Sequence, residues 1–171
     1  ENVQLKKKIS TEEKYTSLVG NSDKMKEVYS RIEMVAKSDV SVLVTGESGT
    51  GKELVSREIH KSSIRNNNPY LQINCAAIPE NLVESSLFGF EKGAFTGALK
   101  TTNGVFQEAN TGSLLLDEVT EIPVSMQAKL LRVLQEKAVA RVGSHEYQNV
   151  DVRIISTSNR NVLKMVEDKE F

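Results

Sequence analysis

Apolar residues recur along the chain in two alternating rhythms. Met25, Val28, Ile32 and Val35 fall at helical spacing behind Asn21-Ser22-Asp23, whose short polar side chains suit a helix N-cap. Val40-Ser41-Val42-Leu43-Val44-Thr45 follows, short, apolar and β-branched, the composition of a buried strand. A Gly-rich loop comes next, then helical spacing again through Leu54, Val55 and Ile59. The alternation continues with a strand over Tyr70 to Asn74, a helix from Pro79 to Phe88 opened by its proline, and a strand over Ser113 to Asp117. Val124 to Gln135 reads as a helix burying Leu130, Leu131 and Leu134, and Val152 to Ser156 as a further strand. Residues 1–17 are sparse in apolar positions (Val3, Leu5, Ile9) and predict a linker or short surface helix ahead of one unit over 18–171. Strands alternating with helices predict an α/β fold, a parallel sheet covered on both faces. Such sheets bind ligands beyond the carboxyl ends of their strands.

Composition narrows the classes. The 171 residues suit one domain, which at this size buries roughly 70% of its unfolded surface without metal or disulfide staples. The 22 Lys+Arg and 23 Asp+Glu leave a net charge of -1, so the basic excess of a domain that grips DNA by itself is missing. Cys75 is the only cysteine, which rules out an intrachain disulfide, suits a reducing cytoplasm and reads as a small core residue. No apolar run approaches the roughly 20 residues of a membrane span, and Glu1 to Ser10, with Lys6, Lys7 and Lys8, has no signal-peptide core. His60 and His145 lie in polar surroundings and read as surface residues.

The chemistry gathers around Gly46-Glu47-Ser48-Gly49-Thr50-Gly51-Lys52, which follows a strand and opens a helix. Its glycines let the backbone curl so that successive N–H groups face phosphate oxygens, and Lys52 would neutralise the β- and γ-phosphates. An ordinary Gly-rich turn is the bland alternative. Glu53 stands where the general motif has a Mg²⁺-binding Ser or Thr. Further along, Leu114-Leu115-Leu116-Asp117-Glu118 is a buried strand ending in two carboxylates. In a phosphate-loop enzyme the first acid at such a position organises Mg²⁺, and the second can polarise the attacking water. Asn159 closes the strand Arg153-Ile154-Ile155-Ser156, where its amide can face a γ-phosphate. Gly89 to Ala98 fits neither periodicity and reads as a mobile loop that holds Phe95 in solvent.

With these motifs assembled, Leu18 to Phe171 resembles the AAA+ domains of sigma-54-dependent transcription activators, the bacterial enhancer-binding proteins. Gly93-Ala94-Phe95-Thr96-Gly97-Ala98 matches the family's GAFTGA signature at every position, and Glu53 after the lysine is a family feature. Ala128 to Gln135 and Val150 to Ile155 also resemble the family closely, while Phe90 replaces a histidine usual before the signature. The resemblance implies a P-loop NTPase of AAA+ type, a three-layer αβα sandwich. It implies ATP contacts from Val19, Gly20 and Gly46 through Glu53, Mg²⁺ on Asp117, and water activation by Glu118. Asn74 would restrain that glutamate until the ring engages, and Asn159 would sense the γ-phosphate. Gly93 to Ala98 would touch the sigma-54 factor of RNA polymerase, and Val142-Gly143-Ser144 would form a second pore-facing loop. A ring, usually a hexamer, would drive promoter opening from the cytoplasm, with DNA bound only by a separate domain.

Family members continue past Phe171 with arginine fingers, a last strand and a helical lid, which this chain lacks. The expectation is therefore weak nucleotide binding, very slow hydrolysis and an open edge on the first strand. Two other readings stay open: a different AAA+ machine, such as a helicase loader or chelatase subunit, and a non-hydrolysing nucleotide-binding switch.

Overall fold

A computed structural model describes residues 18–171, so the linker or helix expected over 1–17 lies outside the described residues. The first helix, α1 (Asp23–Ala36), starts where Ser22 accepts the Met25 N–H at 3.3 Å, the N-cap that its sequence suggests. After it come β1 (Val42–Thr45), α2 (Lys52–Lys61), β2 (Tyr70–Asn74), α3 (Glu80–Phe88), α4 (Val105–Glu108) and β3 (Ser113–Asp117). The chain then forms α5 (Val124–Glu136), β4 (Ala138–Ala140), β5 (Tyr147–Asn149), β6 (Arg153–Ser158) and α6 (Val162–Glu167). Short 3₁₀ turns over Cys75–Ala77 and Val119–Glu121 follow β2 and β3.

Among the described residues four strands make a parallel sheet in the order β1-β6-β3-β2, with β1 at one end of that order. Alternation along the two central strands sends their side chains to opposite faces. Leu114, Leu116 and Ile154 pack with Leu87 and Phe88 of α3, Phe106 of α4 and Leu130 and Val133 of α5. Leu115 and Ile155 pack on the other face with Tyr29 and Ile32 of α1 and Ile59 of α2. The result is a three-layer α/β fold, helices on both faces of a parallel sheet. Cys75 is buried in the first of these cores, and burial pushes its thiol up to about 12.

Apart from strand ends, with β1 starting at Val42 and β6 running on to Ser158, three details differ from the sequence expectation. Leu131 is 53% exposed and Val133 takes a buried place, because Leu130, Val133 and Leu134 form the i, i+3, i+4 stripe and Leu131 falls beside it. His60 is only 5% exposed, because it shares the inner face of α2 with Ser56 and Ile59. Its Nδ1 lies 3.0 Å from Ser113 Oγ, and its ring centroid 5.0 Å from that of Tyr70. His145 is exposed as expected. The third is the antiparallel β4–β5 pair, which carries no alternating signal because each strand has three residues and β5 is exposed throughout.

Arg65 ties together the end of the sheet where the strands begin. Its guanidinium meets both oxygens of Asp39 at 2.9 Å and Asp151 Oδ1 at 2.7 Å. It also donates to the carbonyls of Thr111 (3.0 Å), Gly112 (3.3 Å) and Asp151 (3.1 Å). One side chain thereby joins the segments that lead into β1, β3 and β6.

Candidate functional site

The loop between β1 and α2 is shaped by two residues with left-handed backbone, Gly49 (φ 78°) and Gly51 (φ 85°). Gly51 is also the N-cap of α2, where no side chain supplies a cap. Among the described residues the N–H groups of Gly49, Gly51, Lys52 and Glu53 have no hydrogen-bond acceptor. Unpaired donors at a helix start form a cradle for an anion. Lys52 arches back over the loop and donates to the carbonyls of Gly46 (3.0 Å) and Glu47 (3.1 Å). Thr50 Oγ1 donates to Glu47 O at 2.8 Å, and Gly46 N–H donates to Ser158 O at 3.2 Å, fastening the loop to β6.

The acidic pair stands at the same end of the sheet. Glu118 Oε1 lies 3.5 Å from the Lys52 amine, and Oε2 accepts the Asn159 N–H at 3.0 Å. Glu118 holds φ 52° and ψ 53°, a left-handed conformation uncommon for residues other than glycine, at the point where the chain leaves β3. Asp117 Oδ1 accepts from Thr157 Oγ1, and its other oxygen has no hydrogen bond among the described residues. Asn74 is the register partner of Asp117, and its amide oxygen accepts the Ala76 N–H at 2.9 Å. The structure therefore brings Gly46 to Lys52, Asp117, Glu118 and Asn159 to one site, with Asn74 on the adjoining strand. Glu53 turns outward to Arg57 at 3.1 Å. At the start of the described chain, the Tyr29 hydroxyl donates to the carbonyls of Leu18 (3.1 Å) and Gly20 (3.3 Å), and Val19 is 95% exposed.

Among the described residues no group of three or more His, Cys, Asp and Glu is gathered for a metal. One directed carboxylate beside a phosphate cradle fits Mg²⁺, which is usually bound by one or two carboxylates together with substrate phosphates. The donor set suits a metal shared with a nucleotide.

The 93–98 loop is bridged by backbone hydrogen bonds of its own. Gly93 N–H donates to Ala98 O (2.9 Å) and Ala98 N–H to Phe95 O (3.0 Å), closing the tip on itself. Phe95 is 42% exposed, and its ring centroid lies 5.0 Å from that of Phe90. Phe90 exchanges two 2.9 Å backbone bonds with Thr102, and Thr96 stays exposed. Residues 141–144 brace this loop. Arg141 pairs with Glu91 at 3.0 Å and donates to Asn103 Oδ1 at 2.7 Å. A Cβ at Gly143 would sit 2.9 Å from that of Ala94. Thr101 and Arg141 hold the Glu91 carboxyl below its ordinary range. Sequence reasoning did not single out this brace, since only the fold brings positions 91 and 141 together.

No helix among the described residues is long and apolar enough to cross a membrane. A family model described as the sigma-54 interaction domain matches residues 18–171. The chain is 48% identical over 163 residues to the regulatory protein AtoC of Escherichia coli, covering 95% of this chain and 35% of AtoC. It is 51% identical over 154 residues to a Nif-specific regulatory protein of Bradyrhizobium diazoefficiens, covering 90% of this chain and 26% of that protein. Among solved structures, NtrX from Brucella abortus in complex with ATP superposes with a TM-score of 0.82 at 40% identity, covering 98% of this chain and 38% of that one. The chain thus spans about a third or less of the length of these relatives.

Proposed function

The chain belongs to the sigma-54 interaction domain family, and from that premise we propose that it is the ATP-hydrolysing motor of a sigma-54-dependent transcription activator. The observation that carries the reading is the convergence of the 46–52 loop, Lys52, Asp117 and Glu118 at the carboxyl ends of β1, β3 and β6. The loop N–H groups and Lys52 bind the phosphates of ATP. Asp117 holds Mg²⁺, which when bound offsets the charge on the phosphate oxygens. Glu118 orients the attacking water and accepts its proton. Asn159 reads the γ-phosphate, supported by its N–H bond to Glu118. Asn74, beside Asp117 in the sheet, restrains Glu118 between turnovers. Val19, Gly20 and Glu53 complete the nucleotide contacts.

Output passes through Gly93 to Ala98, the loop that meets sigma-54 in the RNA polymerase holoenzyme, with 142–144 as the second loop. Subunits assemble into a cytoplasmic ring, a hexamer as in the family, and DNA is bound by another domain. Supporting the assignment of the loop, Phe95 and Thr96 are exposed and lie apart in sequence and in bonding from the phosphate loop. The test is made in the full-length activator. Thr96→Ala should retain most ATP turnover and abolish open-promoter formation by the sigma-54 polymerase. Normal promoter opening by that variant would remove the loop from the coupling path.

A further inference from the structure

We infer that Thr157 is the positioning residue of the acidic pair, setting the Asp117 carboxylate and the Glu118 backbone with one hydroxyl. The inference rests on the reading of Asp117 as the residue that meets the magnesium–nucleotide complex. Thr157 lies in β6, the strand between β1 and β3, and is fully buried. A hydroxyl has one proton to give and lone pairs to receive with. Thr157 uses both: Oγ1 donates to Asp117 Oδ1 at 2.5 Å and accepts the Glu118 N–H at 2.9 Å.

Each bond has a separate effect. The first fixes one oxygen of Asp117 and so directs the other. Groups behind a metal ligand commonly orient it in this way and tune its affinity. The second holds the peptide that enters Glu118, whose left-handed φ of 52° is sustained only where surrounding contacts determine it. That bond and the Asn159 N–H on Oε2 grip Glu118 from backbone and carboxylate together. Ser158 does not duplicate the role. Alternation turns it to the other face of the sheet, where Oγ lies 3.0 Å from Thr120 Oγ1 and accepts the Arg160 N–H at 3.1 Å. Valine at position 157 would keep the volume and remove both bonds. The Asp117 oxygen and the Glu118 N–H would then lose these partners.

The experiment titrates a fluorescent ATP analogue with and without Mg²⁺, into the chain and into Thr157→Val and Thr157→Ser. The wild type should bind more tightly with Mg²⁺. Thr157→Val should lose about tenfold of that gain, as expected for a hydrogen bond to a charged group, with magnesium-free affinity unchanged. Thr157→Ser, which keeps the hydroxyl, should restore the gain. If the valine variant fails to fold by thermal melting, Thr157→Ala replaces it with the same expected loss. A full magnesium gain without the hydroxyl would overturn the inference, as would a serine variant that behaves like valine. A wild type that binds nucleotide equally with and without Mg²⁺ would instead overturn the assignment of Asp117 beneath it.

Discussion

The Lys52 amine lies 3.5 Å from Glu118 Oε1, and both side chains are largely buried, so the cation of the phosphate loop and the second acid are counter-ions to each other. The pair joins α2 to the end of β3 and makes the loop and the acids one electrostatic unit. Removing either partner leaves the other charge poorly compensated.

Lys52→Ala should therefore weaken ATP binding by about 1.5–3 kcal/mol, the range for a charge-assisted hydrogen bond, or roughly tenfold to a hundredfold in affinity. Titration with a fluorescent ATP analogue measures it. Unchanged affinity would mean that phosphates do not sit over this loop.

Glu118→Gln keeps the size of the side chain and an oxygen for the Asn159 N–H. In the full-length activator nucleotide should still bind, while steady-state phosphate release falls by roughly 10²–10⁴, the usual contribution of a general base. Loss of binding along with turnover would assign Glu118 a structural role.

Phe90 and Phe95 form a tilted aromatic pair, an arrangement worth about 0.5–1.5 kcal/mol. Phe90→Ala should release the loop tip and make chymotrypsin cleavage after Phe95 about twofold to tenfold faster, with magnesium-free nucleotide affinity unchanged. An unaltered nicking rate would show that the tip is held by its backbone bonds alone.

Burial pushes the His60 imidazole below its ordinary 6.5, and the Arg153 charge adds to the effect. Ser113 Oγ and the Tyr70 ring also face it. The unfolded chain takes up a proton near pH 6.5 that the folded chain resists, so this contribution to stability is present above 6.5 and lost as pH falls through it. Urea midpoints should drop between pH 7.5 and 5.5, and less so in His60→Gln. Equal drops in both proteins would assign the acid sensitivity elsewhere.

Arg65→Ala should destabilise the domain by about 3 kcal/mol, since Asp39, Asp151 and three backbone carbonyls lose their shared donor. For a domain of this size that is a fall of about 6–12 °C in Tm, readable by circular dichroism. A change under 1 °C would show that water replaces the guanidinium at little cost.

Features that repeat along the chain were legible in it. Ser113–Asp117 matches to the residue, because a strand buried on both faces is a continuous apolar run with sharp polar ends. Tyr70–Asn74, an edge strand among the described residues and exposed at Gln72 and Asn74, matches through its alternation. The phosphate loop and acids are legible because each motif is contiguous. Pairings between distant segments are not, as Glu91 with Arg141 and Thr157 with Asp117 show. One signal was available: Ser156-Thr157-Ser158 places hydroxyls where an apolar strand is about to leave the core, a position that buries them only if they find partners. His60 misled because its sequence neighbours, Glu58 and Lys61, are charged, whereas a helix sorts residues by angle and not by adjacency.

The two faces of the sheet are unequal in depth. Among the described residues, sixteen buried ones form the cluster under α3, α4 and α5, against five under α1 and α2. A layer held by less buried apolar area opens locally at lower free energy than the whole molecule. The phosphate loop opens α2, so Lys52 is carried on the thinner layer. A ligand gripping that loop raises the opening cost by about 2.7 kcal/mol at a hundred times its Kd. In native-state hydrogen exchange the amides of α1 and α2 then slow as nucleotide is added, while those of α3 and α5 wait on global unfolding. The thin face is a label-free gauge of site occupancy.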